Sequence, residues 1–138
     1  VVPERCEVVI TRLTVPGETR ETAVNDMWML IESLNLSCDV TIETPAPFYD
    51  PYLIETESHF ARCFARAHNQ TLGFEPTYAF MKGITDANIY VAEGNIPTIN
   101  YGPDGAGAHE CNEYVEIDSL LPVTSVLVDT CIHYYTQQ

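Results

Sequence analysis

Three prolines within seven residues, Pro45, Pro47 and Pro51, divide this chain. Proline removes a backbone donor and locks φ, so the stretch suits an extended crossing better than a regular element. Tyr49 and Asp50 lie between them, and the chain reads as two pieces, residues 1–45 and residues 46–138. The expected class is α/β: an α+β piece followed by an α/β piece with helices packed on a sheet.

In the first piece, residues 4–12 alternate as a strand, with Cys6, Val8 and Ile10 on one face. Pro16-Gly17 turns the chain, and Thr19 offers an N-cap to a helix through about Leu34. Ala23, Val24, Met27, Trp28, Leu30, Ile31 and Leu34 would form its apolar stripe. Alternation returns from Asp39 to Glu43, completing β-α-β. In the second piece a helix from about Thr56 to Asn69 is expected to bury Phe60, Cys63, Phe64 and Ala67. Thr77 to Met81 reads as a strand, Asp86 as the N-cap of a short helix over Ala87 to Ala92, and Thr98 to Tyr101 as a second strand. Asp118 is expected to cap a final helix with Pro122 in its first turn. Leu121, Val123, Val126, Leu127, Cys131 and Tyr135 are available for its buried side.

Between the second strand and the final helix lies the stretch richest in chemistry. Gly102, Pro103, Gly105 and Gly107 form a loop that delivers His109, Glu110 and Glu113 before an apolar pattern resumes at Tyr114-Val115. Glycine allows close backbone approach, here expected of Gly102 and Gly107 toward a substrate, and imidazole is the commonest metal ligand. Glu113 is expected to hold the loop by accepting backbone donors. Asp86 has two readings, a helix cap or a ligand-facing group at the end of a strand. Cys111 lies two residues beyond His109 and reads as an incidental loop thiol. His59, His68 and His133 fall on helical segments and are expected at surfaces. No short-range zinc, phosphate-loop or nucleophile-elbow pattern occurs.

Six Lys and Arg against 20 Asp and Glu give a net charge of −14, which repels nucleic-acid backbones and anionic lipid. Neither nucleic acid nor a membrane is therefore expected as a partner, and no apolar run approaches the length of a membrane span. The charges are scattered, which argues against disorder. Five cysteines at irregular spacing make no disulfide framework, so a cytoplasmic address is expected. Two sequons, Asn35-Leu36-Ser37 and Asn69-Gln70-Thr71, make an extracellular address the alternative. A start at Val1, inside an expected strand, reads as a segment of something longer.

The ordered set Gly83-Ile84-Thr85-Asp86-Ala87, Asn95-Ile96-Pro97-Thr98, then Gly102-Pro103 through Ala108-His109 to Asn112-Glu113-Tyr114-Val115 resembles the C-terminal region of the M20 metallopeptidases and deacylases. That group includes acetylornithine deacetylase, succinyl-diaminopimelate desuccinylase, aminoacylase and carboxypeptidase G. Upstream, Val1-Val2-Pro3 and Leu13-Thr14-Val15-Pro16-Gly17-Glu18-Thr19 resemble the second half of the family's lid, or dimerisation, domain.

The resemblance implies that residues 1–45 are the back half of a ferredoxin-like lid. Residues 46–138 would then supply the C-terminal strands and helices of a zinc-hydrolase sheet. It implies two zinc ions in the complete enzyme (cobalt or manganese would also suit the ligand types), with His109 as one ligand. Catalytic residues would come from elsewhere, because the family's His-x-Asp pair, bridging Asp and Glu-Glu pair have no counterpart here. Asp86, Gly102, Gly107 and Glu113 would shape the site or bind substrate. The activity implied is removal of an acyl group from an N-acyl amino acid, or cleavage of a small peptide, by metal-activated water. The partners implied are that substrate, a homodimer mate through the lid, and the missing N-terminal half or a second chain carrying its groups. The alternative is a non-catalytic structural or assembly protein that retains part of the fold. Two positions depart from the family. Arg12 stands one place from the family's Asp-x-Arg arginine, and Glu110 replaces a small or neutral residue after the ligand histidine.

Overall fold

Thr19 starts the first helix. The computed structural model describes residues 3–136, so the readings at Val1 and Val2 lie outside the described residues. Helix α1 spans Arg20–Ser33, α2 His59–Leu72, α3 Asp86–Ala92 and α4 Ile117–Thr136. A short antiparallel hairpin, β1 Gly105–Ala106 and β2 Tyr114–Val115, sits between α3 and α4. The architecture is thus mixed helix with a small two-stranded sheet, consistent with the α/β class.

The cap of α1 is reciprocal. The Thr22 N–H donates to the Thr19 hydroxyl at 3.2 Å, and the Thr19 N–H donates to Thr22 Oγ1 at 2.9 Å. Ala23, Val24, Met27, Trp28 and Ile31 are half-buried, but Leu30 and Leu34 are 56% and 57% exposed. These two lie on the flank of the expected stripe, and nothing among the described residues covers that flank. The segments on either side of α1, where alternation predicts strands, form no ladder. A ladder requires a partner strand, and without one Val8 and Val9 stand 72% and 88% exposed. The expected strands 77–81 and 98–101 likewise form no ladder, while the hairpin inside the Gly-rich loop was not anticipated.

The core lies between α2 and α4. Ser58 caps α2 by accepting the Ala61 N–H at 3.3 Å, and Gly73 ends it at φ 83° with its N–H on the Asn69 carbonyl. Cys63, Phe64 and Ala67 are buried as expected, and Phe60 is half-buried edge-on against Tyr134. Phe64, Ala67 and Val126 form the centre, with Leu72, Ile99 and Tyr101 packed around it. Helix α4 buries only part of the side expected of it. Val126 and Thr130 are buried and Val123 and Tyr134 half-buried, whereas Leu121 and Tyr135 are 75% and 74% exposed. The widest apolar arc of α4, holding Leu120, Leu121, Leu127, Val128, Cys131 and Ile132, is exposed, so the periodicity points away from the side that packs at Val126 and Thr130. Its start also differs. The helix begins at Ile117, before Asp118, and Pro122 lies in the second turn, where its missing N–H leaves the Asp118 carbonyl without its helical donor.

His68 corrects the expectation of surface histidines. It is buried among Phe64, Phe74 and Tyr101, with Nδ1 2.9 Å from the Phe74 carbonyl. Its place one turn after Phe64 and two after Ala61 puts it on the apolar face.

Candidate functional site

The loop of residues 102–117 is built as a hairpin whose two strands meet as Gly105 opposite Val115 and Ala106 opposite Tyr114. Gly105 is demanded by that pairing, because a Cβ there would lie 2.2 Å from the Tyr114 carbonyl oxygen. Gly107 is demanded by conformation, at φ 73°. At Gly102 neither reason holds, since a Cβ would meet nothing within 4 Å and φ is not positive.

His109 sits at the tip with φ 66°, and Asn112 follows at φ 67°. Two non-glycine residues in the left-handed region within one short loop cost on the order of 1 kcal/mol each. The surrounding bonds hold them there. The His109 N–H donates to Glu113 Oε2 at 3.3 Å, and the Glu110 N–H donates to the Gly107 carbonyl at 2.8 Å. At the base of the hairpin, the Glu116 N–H reaches the Asp104 carbonyl at 2.8 Å, and the Asp104 N–H reaches the Ser119 hydroxyl of α4 at 3.0 Å. The outcome is an exposed imidazole on a backbone anchored to a helix.

His109 and Glu113 are thus brought together by a hydrogen bond. Asp86 stands apart on α3. It is exposed and is the first residue of that helix, while Thr85 is the N-cap, which corrects the expected capping role of Asp86. Cys111 and Glu110 are exposed in the turn. Among the described residues no group of three or more His, Cys, Asp or Glu side chains is placed to hold a metal ion. Residues 3–136 therefore do not by themselves form a metal centre.

Arg12, one position from the family's arginine, is engaged locally. It donates to Glu18 Oε1 at 2.7 Å and Asp26 Oδ2 at 3.0 Å. The Val15 N–H at 3.1 Å and then Arg12 hold the Glu18 carboxyl below its ordinary range.

A second polar cluster was not anticipated. Asn100 Nδ2 donates to the Tyr52 hydroxyl at 2.9 Å and to Thr85 Oγ1 at 3.2 Å. Asn88 donates from Nδ2 to the Asp50 carbonyl at 2.9 Å and accepts the Thr85 N–H at 3.1 Å. The only sequence signal was one polar residue, Asn100, between the apolar Ile99 and Tyr101. Beyond the sites themselves, no helix among the described residues is long and apolar enough to cross a membrane.

Compared with known proteins, residues 3–133 match the sequence model of peptidase family M20/M25/M40. Neither a curated protein nor a solved structure matches the chain.

Proposed function

The chain belongs to peptidase family M20/M25/M40, and on that premise we propose that it forms the C-terminal part of a metal-dependent amide hydrolase. The family points to a metal-dependent hydrolase in general. The finer reading is that the enzyme removes an acyl group from an N-acyl amino acid or cuts a small peptide. The observation that carries it is the family match across nearly the whole chain, with His109 held at the tip of an anchored hairpin. In this reading His109 is one metal ligand, and the others come from outside the described residues. Zinc is the expected ion, with cobalt and manganese as chemically reasonable substitutes.

The division of labour follows the proline crossing. Residues 1–45 act as part of a lid through which two copies associate. Residues 46–138 belong to the catalytic unit, where Asp86, Gly102, Gly107 and Glu113 shape the site. What supports the division is packing: α2 rests on α4, whereas α1 contributes no residue to that core. Five free thiols, four of them exposed, suit a reducing compartment.

The test uses the full-length gene product. Metal content is measured as purified, and N-acetyl amino acids and dipeptides are offered with zinc, cobalt or manganese. Hydrolysis of either set, with His109→Ala losing both bound metal and turnover, is the expected result. Turnover of neither set with any of the three ions would overturn the hydrolase reading in favour of an assembly role.

A further inference from the structure

Resting on the hydrolase reading, we propose that Asn100 is a positioning residue, clasping the proline-rich crossing to the strand that carries the His109 hairpin. Residues 99–101 alternate in burial, half-buried, exposed, half-buried. Ile99 and Tyr101 pack on the core, Tyr101 with its ring 5.0 Å from Phe64, so Asn100 projects from the opposite face. There its carboxamide meets the Tyr52 hydroxyl, from the crossing, and the Thr85 hydroxyl, from the cap of α3. Asn88 adds a second tie from α3 to the crossing through the Asp50 carbonyl. Three segments far apart in sequence are joined here, each bond having a side chain on at least one end. The segment they grip reaches Gly102 two residues after Asn100 and His109 nine residues after it.

The consequence concerns where the crossing can bend. A hinge is a few residues that absorb the φ/ψ change when one body closes on another. Tyr52 and Asp50 are tied to the catalytic side, so rotation is confined to the residues before Asp50. The downstream half of the crossing moves with the site loop. Loosening the clasp adds soft residues to the hinge and lowers the fraction of molecules in which the lid and the hairpin are correctly juxtaposed. The bonds are near the surface, so each alone is weak; what matters is that they act as one network.

The experiment is a double-mutant cycle in the full-length protein, read by amide hydrogen exchange over residues 50–54 and by steady-state kinetics. Tyr52→Phe and Asn100→Ala should each speed exchange in that segment and lower kcat by about three- to tenfold, within the range for residues sharing one network. KM should change by less than about twofold if the lesion is one of positioning rather than binding. The double variant should be no worse than the more severe single one. Asn100→Asp should restore both readouts, because the Tyr52 and Thr85 hydroxyls can donate to a carboxylate in the same place. Unchanged exchange in Tyr52→Phe, additive losses, or no rescue by Asn100→Asp would each overturn the clasp. If Asn100→Ala fails to fold, Tyr52→Phe, which removes one hydroxyl, decides alone. If no hydrolysis is found, the functional reading falls, and the exchange measurement still decides the clasp.

Discussion

Replacing the three loop glycines one at a time by alanine should give three different results, because the structure assigns each a different reason. At Gly105 the new Cβ would sit 2.2 Å from the Tyr114 carbonyl oxygen, a backbone atom that cannot move aside without opening the hairpin. The cost is therefore the lost strand pairing, about 1 kcal/mol for each net hydrogen bond, plus exposure of whatever acceptor is left unpaired. A total of roughly 2–4 kcal/mol of local stability follows if the pairing is lost. Gly107→Ala meets no hard overlap, its nearest contact being Glu113 Cα at 3.4 Å, but it forces alanine to φ 73°. That costs about 1–2 kcal/mol and strains the His109 turn without necessarily opening the strands. Gly102→Ala encounters neither obstacle within the chain and should be neutral, or stabilising by about 0.4–1 kcal/mol through the unfolded state. The assay is amide exchange at residues 105, 106, 114 and 115 in the full-length protein, with bound metal measured alongside. The reasoning predicts fast exchange in Gly105→Ala, intermediate exchange in Gly107→Ala, and native protection in Gly102→Ala. Native protection in Gly105→Ala would refute it. Loss of metal or turnover in Gly102→Ala with a native hairpin would instead locate the close approach at Gly102 in a bound group.

Three further outcomes are expected. Val126→Ala removes two buried carbons from a side chain with no exposure, about 1.6 kcal/mol of transfer free energy plus a cavity contribution, so a loss of about 2–3 kcal/mol should appear as a lower unfolding midpoint. Glu18, whose carboxyl is held below its ordinary range by the Val15 N–H and Arg12, contributes stability present above its unfolded pKa and lost as pH falls through its lower folded pKa. Glu18→Gln should remove that acid dependence from a carboxyl-resolved NMR titration of the 12–19 turn. Tyr101 is pushed above the ordinary phenol value, first by burial and then by Asp104, so its neutral form is favoured in the fold. That contribution is present below the unfolded pKa and lost as pH rises through the folded one, and ultraviolet difference titration of Tyr101→Phe should remove a late-ionising phenol.

What could be read from the sequence was local. Thr19 marks the start of α1 through short-range chemistry, and the face of α2 follows from the spacing of Cys63, Phe64 and Ala67, though the helix starts after Ser58 and runs to Leu72 and not from Thr56 to Asn69. The N-cap position fell to Thr85, whose N–H is accepted by the Asn88 side chain three residues on, and not to Asp86. Where a prediction needed a partner element it failed. Residues 4–12 and 98–101 carry strand patterns, but pairing is a property of two segments. The same holds for α4, whose inward face was set by packing on α2 and not by its own widest apolar arc. At the site, the sequence located the His109 loop and the holding contact of Glu113. It did not reveal that residues 105–106 and 114–115 would pair, nor that Asn100 would reach Tyr52, 48 residues away.

The exposed surface bears on which completion the chain requires. A folded chain of 15.5 kDa is expected to leave about 7,200 Å² accessible, whereas this one leaves 11112 Å². An elongated shape alone would expose polar and apolar groups alike. Here the excess includes Val8, Val9 and Ile10 along one extended segment and Leu120, Leu121, Val128 and Ile132 on the outer side of α4. A standard protein–protein interface covers about 800 Å² on each partner, and the excess here is roughly 3,900 Å². A dimer contact through the lid would account for only part of that. The exposed apolar side chains named here lie before α1 and on the outer side of α4, surfaces that a sheet and a second helical layer would cover. Completion by further polypeptide of the same catalytic unit therefore fits the amount and the location of the apolar excess better than assembly of this piece with copies of itself. Under the proposed function, the same completion would supply the other metal ligands that His109 requires.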